Sequence, residues 1–512
     1  MQYIANAKEA KKIDGISIEQ IGIPSLVLME RAALAVAKRV EELAKKEDSV
    51  LIICGVGNNG ADGVAAGRML SEHGYRVTFL LLGNMQKASE EMRVQLAIVK
   101  NLALSVRTTD DFLKEELEQY TFVIDAIFGI GLSREITGKY AQWIQAVNAM
   151  QKPVVSVDVP SGIDATNGQV LGIAIRAKET ITFGTLKSGL LFFPGAKYAG
   201  VVQLADIGFP KSALKEVCLQ TISYDREDVK KLFPQRIPYS NKGSYGKVLV
   251  IAGSKNMGGA AYFAARAAYE MGCGLVKVIT HQNNRDMLLE KLPEALLECY
   301  DEETKEEEIS DMLTDVVQWA DVIACGPGLG TSPTARSLFE TVIKEENKPV
   351  VLDADAINLA STLSVNIFQK NKILTPHLKE MSRLIETPVA TIQTDLMHYA
   401  DMAKPATIVL KDARTVVVSD EKRYINRSGN HALAKGGSGD VLCGMIAGLL
   451  ARKTEPFLAA SLATYLHGLT AEEYVKNRSS SSMFASDILD MLSTILPEQL
   501  DRQSDYSACL NN

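Results

Sequence analysis

The sequence predicts an α/β protein made of two domains in tandem, and three observations carry that expectation. At 512 residues the chain exceeds the size at which a single hydrophobic core keeps growing, so at least two cores are expected. Short β-rich runs alternate with longer helical patterns: SVLIIC at 49–54, YRVTFLLL at 75–82, TFVIDAIF at 121–128 and PVVSVDVP at 153–160. Such alternation is the pattern of parallel strands joined by crossover helices. It then restarts after residue 245 with GKVLVIAG, LVKVIT at 275–280, DVIACG at 321–326, PVVLDADA at 349–356, KILTP at 372–376 and TIVLK at 407–411.

Between the two series lies QTISYDREDVKKLFPQRIPYSNKGSYG, which is polar, carries Pro234 and Pro238 and sustains neither period. The predicted division is therefore a domain over 1–220, a linker over 221–239 and a second domain over 240–500. The acidic DEETKEEEIS at 301–310 reads as a solvated loop or helix start. The segment SLVLMERAALAVAKRVEELAKK at 25–46 has apolar positions at helical spacing, fit for core-facing packing or for an interface.

Composition narrows the function classes. Hydrophobic residues are 46% and charged residues 23%, with a formal net charge of −7, which argues against nucleic acid as a global partner. The N-terminal MQYIANAKEA lacks a basic-then-apolar leader, and no apolar run approaches the roughly 18 residues that span a bilayer. A cytoplasmic protein with no membrane partner is expected. The 7 cysteines are scattered, without a CxxC pair or metal-ligand spacing, so buried free thiols are expected.

In the first half, GVGNNGADG at 55–63 follows a strand. Its glycines let the backbone turn sharply and present amides at the start of a helix, an arrangement that suits anions. Asp125 and Asp158 lie at two other strand ends, followed by the glycine-interrupted AIFGIGLSREITG, which contains Arg134, and by VPSGID. Ligands collect beyond the carboxyl ends of strands in doubly wound sheets, so three loops are expected to converge on one crevice. The alternative for each aspartate is local loop capping.

In the second half, LAKGGSGDVLCGMIAGLLA at 433–451 places glycines before an apolar-periodic helix and an aspartate within its first turn. Phosphate oxygens would meet backbone amides at that N-terminus. Asp440 would then orient or deprotonate an attacking hydroxyl, as an aspartate does in kinases; the alternative is a capping carboxylate. His377, after TP at a strand end, is a candidate ligand contact or a helix cap.

NNGADG, DAIFGIGLSRE, VDVPSGIDATNG and TFGTLKSGLLFFPGAKYAGVVQLADIGFP, spread over nearly all of residues 1–215, resemble the successive signatures of the NAD(P)H-hydrate epimerase family. The resemblance implies a Rossmann-like α/β/α sandwich and a potassium ion held by Asn59, Asp125 and Ser161. It implies hydrate contacts from Asn58, Asn59, Gly60, Ala61 and Asp62, from Gly129, Ile130, Gly131, Leu132, Ser133, Arg134 and Glu135, and from Asp158. Asp158 is the candidate acid/base. Ala61 departs from the family's usual glycine, and if that position needs a positive φ the loop must bend differently.

NKGSYGKVLVIAGS, GGAAYFAARAAYEMGCGLVKV, GPGLG, LDADAIN, TPHLKEMSRL, LKDART and GGSGD, over residues 240–495, resemble the ADP-dependent hydrate dehydratase branch of the ribokinase-like superfamily. The resemblance implies a ribokinase-like α/β domain and places Lys411, Asp412, Ala413, Arg414, Thr415 and Gly439 on the adenine nucleotide. It places Ala260, Gly328, His377 and Asp440 on the hydrate, with ADP as phosphoryl donor. Magnesium is expected to bridge the phosphates, with Asp353 and Asp355 as candidate ligands. Asp412 replaces a common glycine and Leu378-Lys379-Glu380 replaces the usual PGE, which bears on nucleotide preference and loop shape.

Together the two likenesses imply nicotinamide nucleotide repair by a homo-oligomer. The R and S hydrates of NADH and NADPH (NADHX and NADPHX) are epimerised, and the S form is dehydrated with conversion of ADP to AMP and phosphate. A small-molecule kinase with a non-catalytic N-terminal binding domain is the alternative; a first half turned scaffold is another.

Overall fold

The computed structural model describes residues 1–110 and 112–496; the expected domain end at 500 and Cys509 lie outside the described residues. The chain divides into one unit of Gln2–Ile222 and another that begins at Ser223. The segment expected to be a linker is not bare: Asp225 caps a helix over Arg226–Leu232. Tyr224 is buried in the second unit, its ring 4.7 Å from that of Tyr424 and its hydroxyl 2.9 Å from Ser461 Oγ. One aromatic anchor in a polar stretch carries no periodicity, which is why the sequence pattern conceals it.

In the first unit the main-sheet strands are β1 (Ser49–Cys54), β2 (Arg76–Leu81), β3 (Ser105–Thr108), β4 (Phe122–Ala126), β5 (Val154–Val157), β6 (Glu179–Phe183) and β7 (Val201–Ala205). They run in the order β3-β2-β1-β4-β5-β6-β7, every pair parallel. The order reverses between β1 and β4, and a crevice opens where two neighbouring connections leave in opposite directions. Helix α1 (Ser25–Leu43) buries Leu28, Met29, Ala32, Val36 and Val40 against α2 (Asn58–Glu72) and the sheet in one core. The 25–46 stripe is therefore core-facing.

In the second unit the strands are β8 (Lys247–Ile251), β9 (Leu275–His281), β10 (Leu296–Tyr300), β11 (Val322–Cys325), β12 (Val350–Leu352), β13 (Lys372–Leu374), β14 (Thr407–Leu410), β15 (Val416–Ser419) and β16 (Lys422–Ile425). Their order is β10-β9-β8-β11-β12-β13-β14-β15-β16, parallel as far as β14 and antiparallel in the last two pairings. Helix α3 (Gly258–Glu270) packs on α4 (Ser438–Ala451), and α5 (Pro456–Tyr474) follows. A Cβ at Gly444 would stand 2.1 Å from Ala264 O, and one at Gly448 2.6 Å from Ala268 O, so the two backbones touch. From Val441 onward α4 is buried all round, as expected of a helix apolar on every face. The acidic 301–310 stretch leads into a helix over Glu306–Trp319.

The thiols correct one expectation. Cys54, Cys273, Cys325 and Cys443 are buried, but Cys299 is half-buried and Cys218 exposed, and all of these are free. Cys218 follows a short helix in left-handed backbone with φ 56°, at a surface turn that no apolar periodicity marks.

Candidate active sites

In the first unit a cavity of about 780 Å³ lies at the sheet reversal. Asn58, Asn59 and Asp62 line it from the start of α2, Gly129 to Arg134 from the loop after β4, and Asp158 from the end of β5. The three expected loops thus converge. Gly60, Ala61 and Glu135 are not among the lining residues. A Cβ on Gly60 would stand 1.9 Å from Gly55 O, so this glycine serves the turn's packing, and Glu135 is exposed. Ala61 is 0% exposed in the core and donates its N–H to Gly57 O at 3.1 Å within helical backbone. No positive φ is needed there, and the departure from glycine leaves the turn intact.

Asp158 holds a left-handed backbone with φ 63°, uncommon for a residue with a Cβ and a mark of functional positions. Its Oδ1 accepts from Lys187 Nζ at 2.7 Å, Thr182 Oγ1 at 3.0 Å and Phe183 N–H at 3.4 Å. The ion pair is buried, with side-chain exposures of 4% for Lys187 and 11% for Asp158. Sequence reasoning did not single out Lys187, although it lies in TFGTLKSG. It also passed over Asp14, which lines the same cavity from the helix Ala7–Gly15. Burial and the charge of Asp158 push the Asp14 carboxyl up to about 6, with Lys187 opposing. Burial and the charges of Asp158, Asp14 and Glu91 hold the Asp62 carboxyl well above the usual range.

Beside the cavity, Asp125 Oδ1 accepts from Ser161 Oγ at 2.5 Å and Ile127 N–H at 3.3 Å, and Oδ2 from Ser156 Oγ at 2.7 Å and Ser161 N–H at 2.9 Å. Burial raises this carboxyl while the Ser161 and Ser156 donors oppose it. Ser161 Oγ also meets Phe128 O at 3.3 Å, and a Cβ on the next residue, Gly129, would stand 2.8 Å from Asn59 Oδ1. Asn59 Nδ2 is buried with no hydrogen-bond partner. Among the described residues no cluster of His, Cys, Asp and Glu could hold a metal. Amide, hydroxyl, carboxylate and main-chain oxygens form the donor set here, which suits a hard cation rather than zinc.

In the second unit the groups gather at the ends of β12, β13 and β14. Asp353 Oδ1 accepts from Thr375 Oγ1 at 2.6 Å and from Lys411 Nζ at 2.8 Å. A Cβ on Gly439 would stand 3.2 Å from Lys411 Nζ and 3.8 Å from Asp353 Oδ2, which sets the pair against the N-terminus of α4. Burial works against the Lys411 ammonium, yet Asp353 and Glu380 hold its pKa above its ordinary value. Gly437 opens α4 with φ 88°, and Asp440 follows in the first turn. Burial, then Asp353, push the Asp440 carboxyl up to about 6 against the pull of Lys411, and Asp355 adds to the rise. His467 of α5, missed in the sequence, lies 3.0 Å from Ser438 O and steadies this helix start. Burial lowers its pKa to about 4, so at neutral pH its ring is uncharged.

Other expected contacts fall around this point. Lys411 bridges to His377, whose Nδ1 accepts Glu380 N–H at 3.1 Å as the cap of a helix over Leu378–Leu384. Glu380 Oε2 accepts His377 N–H at 2.8 Å, so the departing triplet supplies the returning half of a capping box. A Cβ on Gly328 would stand 2.8 Å from Ala260 Cβ, which puts those two together. Asp412 is half-buried, its carboxyl raised by burial. Ala413 is exposed, while Thr415 Oγ1 donates to Asp412 O at 3.5 Å and Arg414 Nη1 to Arg427 O at 3.4 Å. Asp355 accepts from Gly330 N–H at 2.8 Å and Asn358 Nδ2 at 3.2 Å, and Asp353 Oδ1 is held by Lys411.

A glycine-opened helix facing a lysine–aspartate pair on one sheet and a carboxylate-lined crevice on another define a two-site α/β protein, and comparison with known families says which. Residues 248–494 match the NAD(P)H-hydrate dehydratase family model and residues 25–189 the YjeF-related protein N-terminus. The chain belongs to the bifunctional NAD(P)H-hydrate repair enzyme family. It is 34% identical over 513 residues to the bifunctional NAD(P)H-hydrate repair enzyme Nnr of Moorella thermoacetica, with 96% of each chain covered. The Escherichia coli protein of that name is 31% identical over 509 residues, with 98% of this chain and 96% of the relative covered. Among solved structures, the ADP/ATP-dependent NAD(P)H-hydrate dehydratase of Bacillus subtilis co-crystallized with ATP/Mg2+ is 31% identical. It covers 53% of this chain and 96% of its own, at a TM-score of 0.45.

Proposed function

We infer that this chain repairs hydrated nicotinamide nucleotides at two active sites: the first unit epimerises the R and S hydrates of NADH and NADPH, and the second dehydrates the S form. The observation that carries this is the coexistence of the Asp158–Lys187 cavity with the Asp440 constellation in a chain whose relatives match it end to end. The kinase alternative gives the first cavity only a binding role and is not favoured by the family of the relatives.

In the first unit, the hydrate's ring nitrogen expels the C6 hydroxyl as water once that oxygen is protonated. Water then returns to the planar iminium from the opposite face and gives up a proton. Asp158 accepts protons here and Lys187 holds it toward the cavity. Asn58, Asn59, Asp62 and the 129–134 loop bind the hydrate. Asn59, Asp125 and Ser161 would hold potassium, Asn59 by turning its amide oxygen toward the ion; bound there, it supplies positive charge beside a buried carboxylate.

In the second unit, Asp440 takes the proton of the C6 hydroxyl as that oxygen attacks the β-phosphorus of ADP and AMP departs. Phosphate then leaves, driven by the ring nitrogen, and loss of a neighbouring ring proton restores the dihydronicotinamide. Lys411 and the Gly439 amide draw the phosphoryl oxygens. Lys411 to Thr415 bind the nucleotide, and Ala260, Gly328 and His377 the hydrate. Asp353, whose Oδ2 lies near Gly439, would hold magnesium, which would supply positive charge against the diphosphate. The same inference makes the protein a cytoplasmic homo-oligomer, an assembly that light scattering tests.

Mixing the protein with both epimers of NADH hydrate, ADP, magnesium and potassium, and following dihydronicotinamide absorbance, tests the whole. Full recovery is expected. Recovery of the S portion alone would make the first unit non-catalytic, and none would favour the kinase. Exchanging ADP for ATP reads the donor preference.

A further inference from the structure

The epimerisation needs two proton transfers of opposite sense, and Asp158 is arranged for one of them. It is the acceptor of an ammonium, a hydroxyl and an amide, the environment of a base. Asp14 lines the same cavity in a different setting, with no hydrogen bond or ion pair among the described residues. Its helix, Ala7–Gly15, passes at once into a π-helical turn over Ile16–Gln20, a distortion that recurs at functional sites. Around Asp14 stand Asp158 and Lys187 from the sheet side, Asp62 from α2 and Lys11 from its own helix.

We propose that Asp14 is the acid of the epimerase site, giving its proton to the departing C6 hydroxyl while Asp158 receives the proton of the returning water. The C6–O bond breaks with its electrons going to the protonated oxygen, water leaves, and the ring nitrogen lone pair forms the N1–C6 double bond. Water adding to C6 forms the new C–O bond, returns that electron pair to nitrogen and loses its proton to Asp158. Transfer of that proton back to Asp14 through cavity water resets the pair. Two carboxyl groups whose surroundings differ this way divide acid and base roles. Asp14, pushed up to about 6, can both release and recover a proton near neutral pH. Asp62 adds a third carboxyl to the cavity wall, held well above the ordinary range by burial and by the charges of Asp158, Asp14 and Glu91.

This inference rests on the epimerase reading and is tested on the full chain with potassium present. Epimer exchange is measured on the R hydrate without ADP, and dehydration of purified S hydrate with ADP serves as the control for folding. Asp14→Asn is expected to lower kcat for exchange about 100-fold, with KM changed less than about threefold and S dehydration unchanged. In the wild type, kcat/KM for exchange should fall as pH rises through about 6, and Asp14→Asn should remove that limb. Asp14→Glu should recover part of the rate. Exchange within about threefold of wild type, a loss confined to KM, or a pH limb that survives in Asp14→Asn overturns the proposal. Wild-type protein that does not exchange epimers at all would overturn the epimerase reading itself.

Discussion

The two sites share a grammar and differ in which word faces the substrate. Each has a lysine–aspartate pair, Lys187 with Asp158 at 2.7 Å, both buried, and half-buried Lys411 with buried Asp353 at 2.8 Å. Each also has an aspartate nearby pushed up to about 6, Asp14 in one and Asp440 in the other. In the first unit Asp158 is the end of the pair that lines the cavity, and the proposed reaction makes it the working end with the lysine as its brace. In the second, Lys411 lies against Gly439, and the proposed reaction makes the ammonium the working end with Asp353, only 2% exposed, as its brace. A base suits a reaction that moves only protons and water; a cation suits one that moves a phosphoryl group. The same pair, turned round, serves both.

The largest break in that parallel is Asp440→Asn. It should lower kcat for S-hydrate dehydration about 1,000-fold and leave epimer exchange untouched, as separate assays of the two reactions on one preparation would report. Next comes removal of each brace. Lys187→Met strands a buried carboxylate and should cost about 3 kcal/mol of stability in denaturant, and Asp353→Asn, which strands a half-buried ammonium, should cost less. Lys187→Met should impair exchange alone and Asp353→Asn dehydration alone.

Opposite pH limbs sharpen the comparison further. Asp440 must be ionised to accept a proton, so kcat/KM for dehydration should rise as pH rises through about 6 and then level. Asp14 must be protonated to donate, so exchange should move the other way. Parallel limbs in the two assays would dissolve the distinction. The smallest effect expected is that of Asp412→Gly. The half-buried Asp412 carboxyl is raised by its burial, and an extra negative charge does not help a nucleotide bind. ADP binding measured by calorimetry should not weaken, and any change should stay under about 0.5 kcal/mol.

What could be read from the sequence followed from local chemistry. A glycine run before an apolar helix announces an anion site, and GGSGD needed no tertiary information to place Asp440. Strands buried on both faces, such as β1 and β8, are continuous apolar runs and stood out. β3, SVRT, is too short and polar, and β7, at a sheet edge, has only exposed and half-buried positions with no regular alternation. Lys187 and Asp14 escaped because their meaning is non-local: the first pairs with a residue 29 positions away, and the second is an ordinary helical aspartate until the fold sets it in a cavity. For His377 the structure shows the helix cap, and a backbone β-bridge sets it beside Lys411. Ala61 misled because a glycine-rich string suggests a bent loop, whereas that position is the first turn of α2.

The contact between α3 and α4 at Gly444 and Gly448 leaves no room for even a methyl group. Helix α4, which carries Asp440, is thereby mounted at a fixed depth, and a larger residue at either point would lift its N-terminus off the ends of β12 and β14. Packing alone therefore bars side chains at these two positions, and any change in what the domain binds would have to come from residues outside this contact.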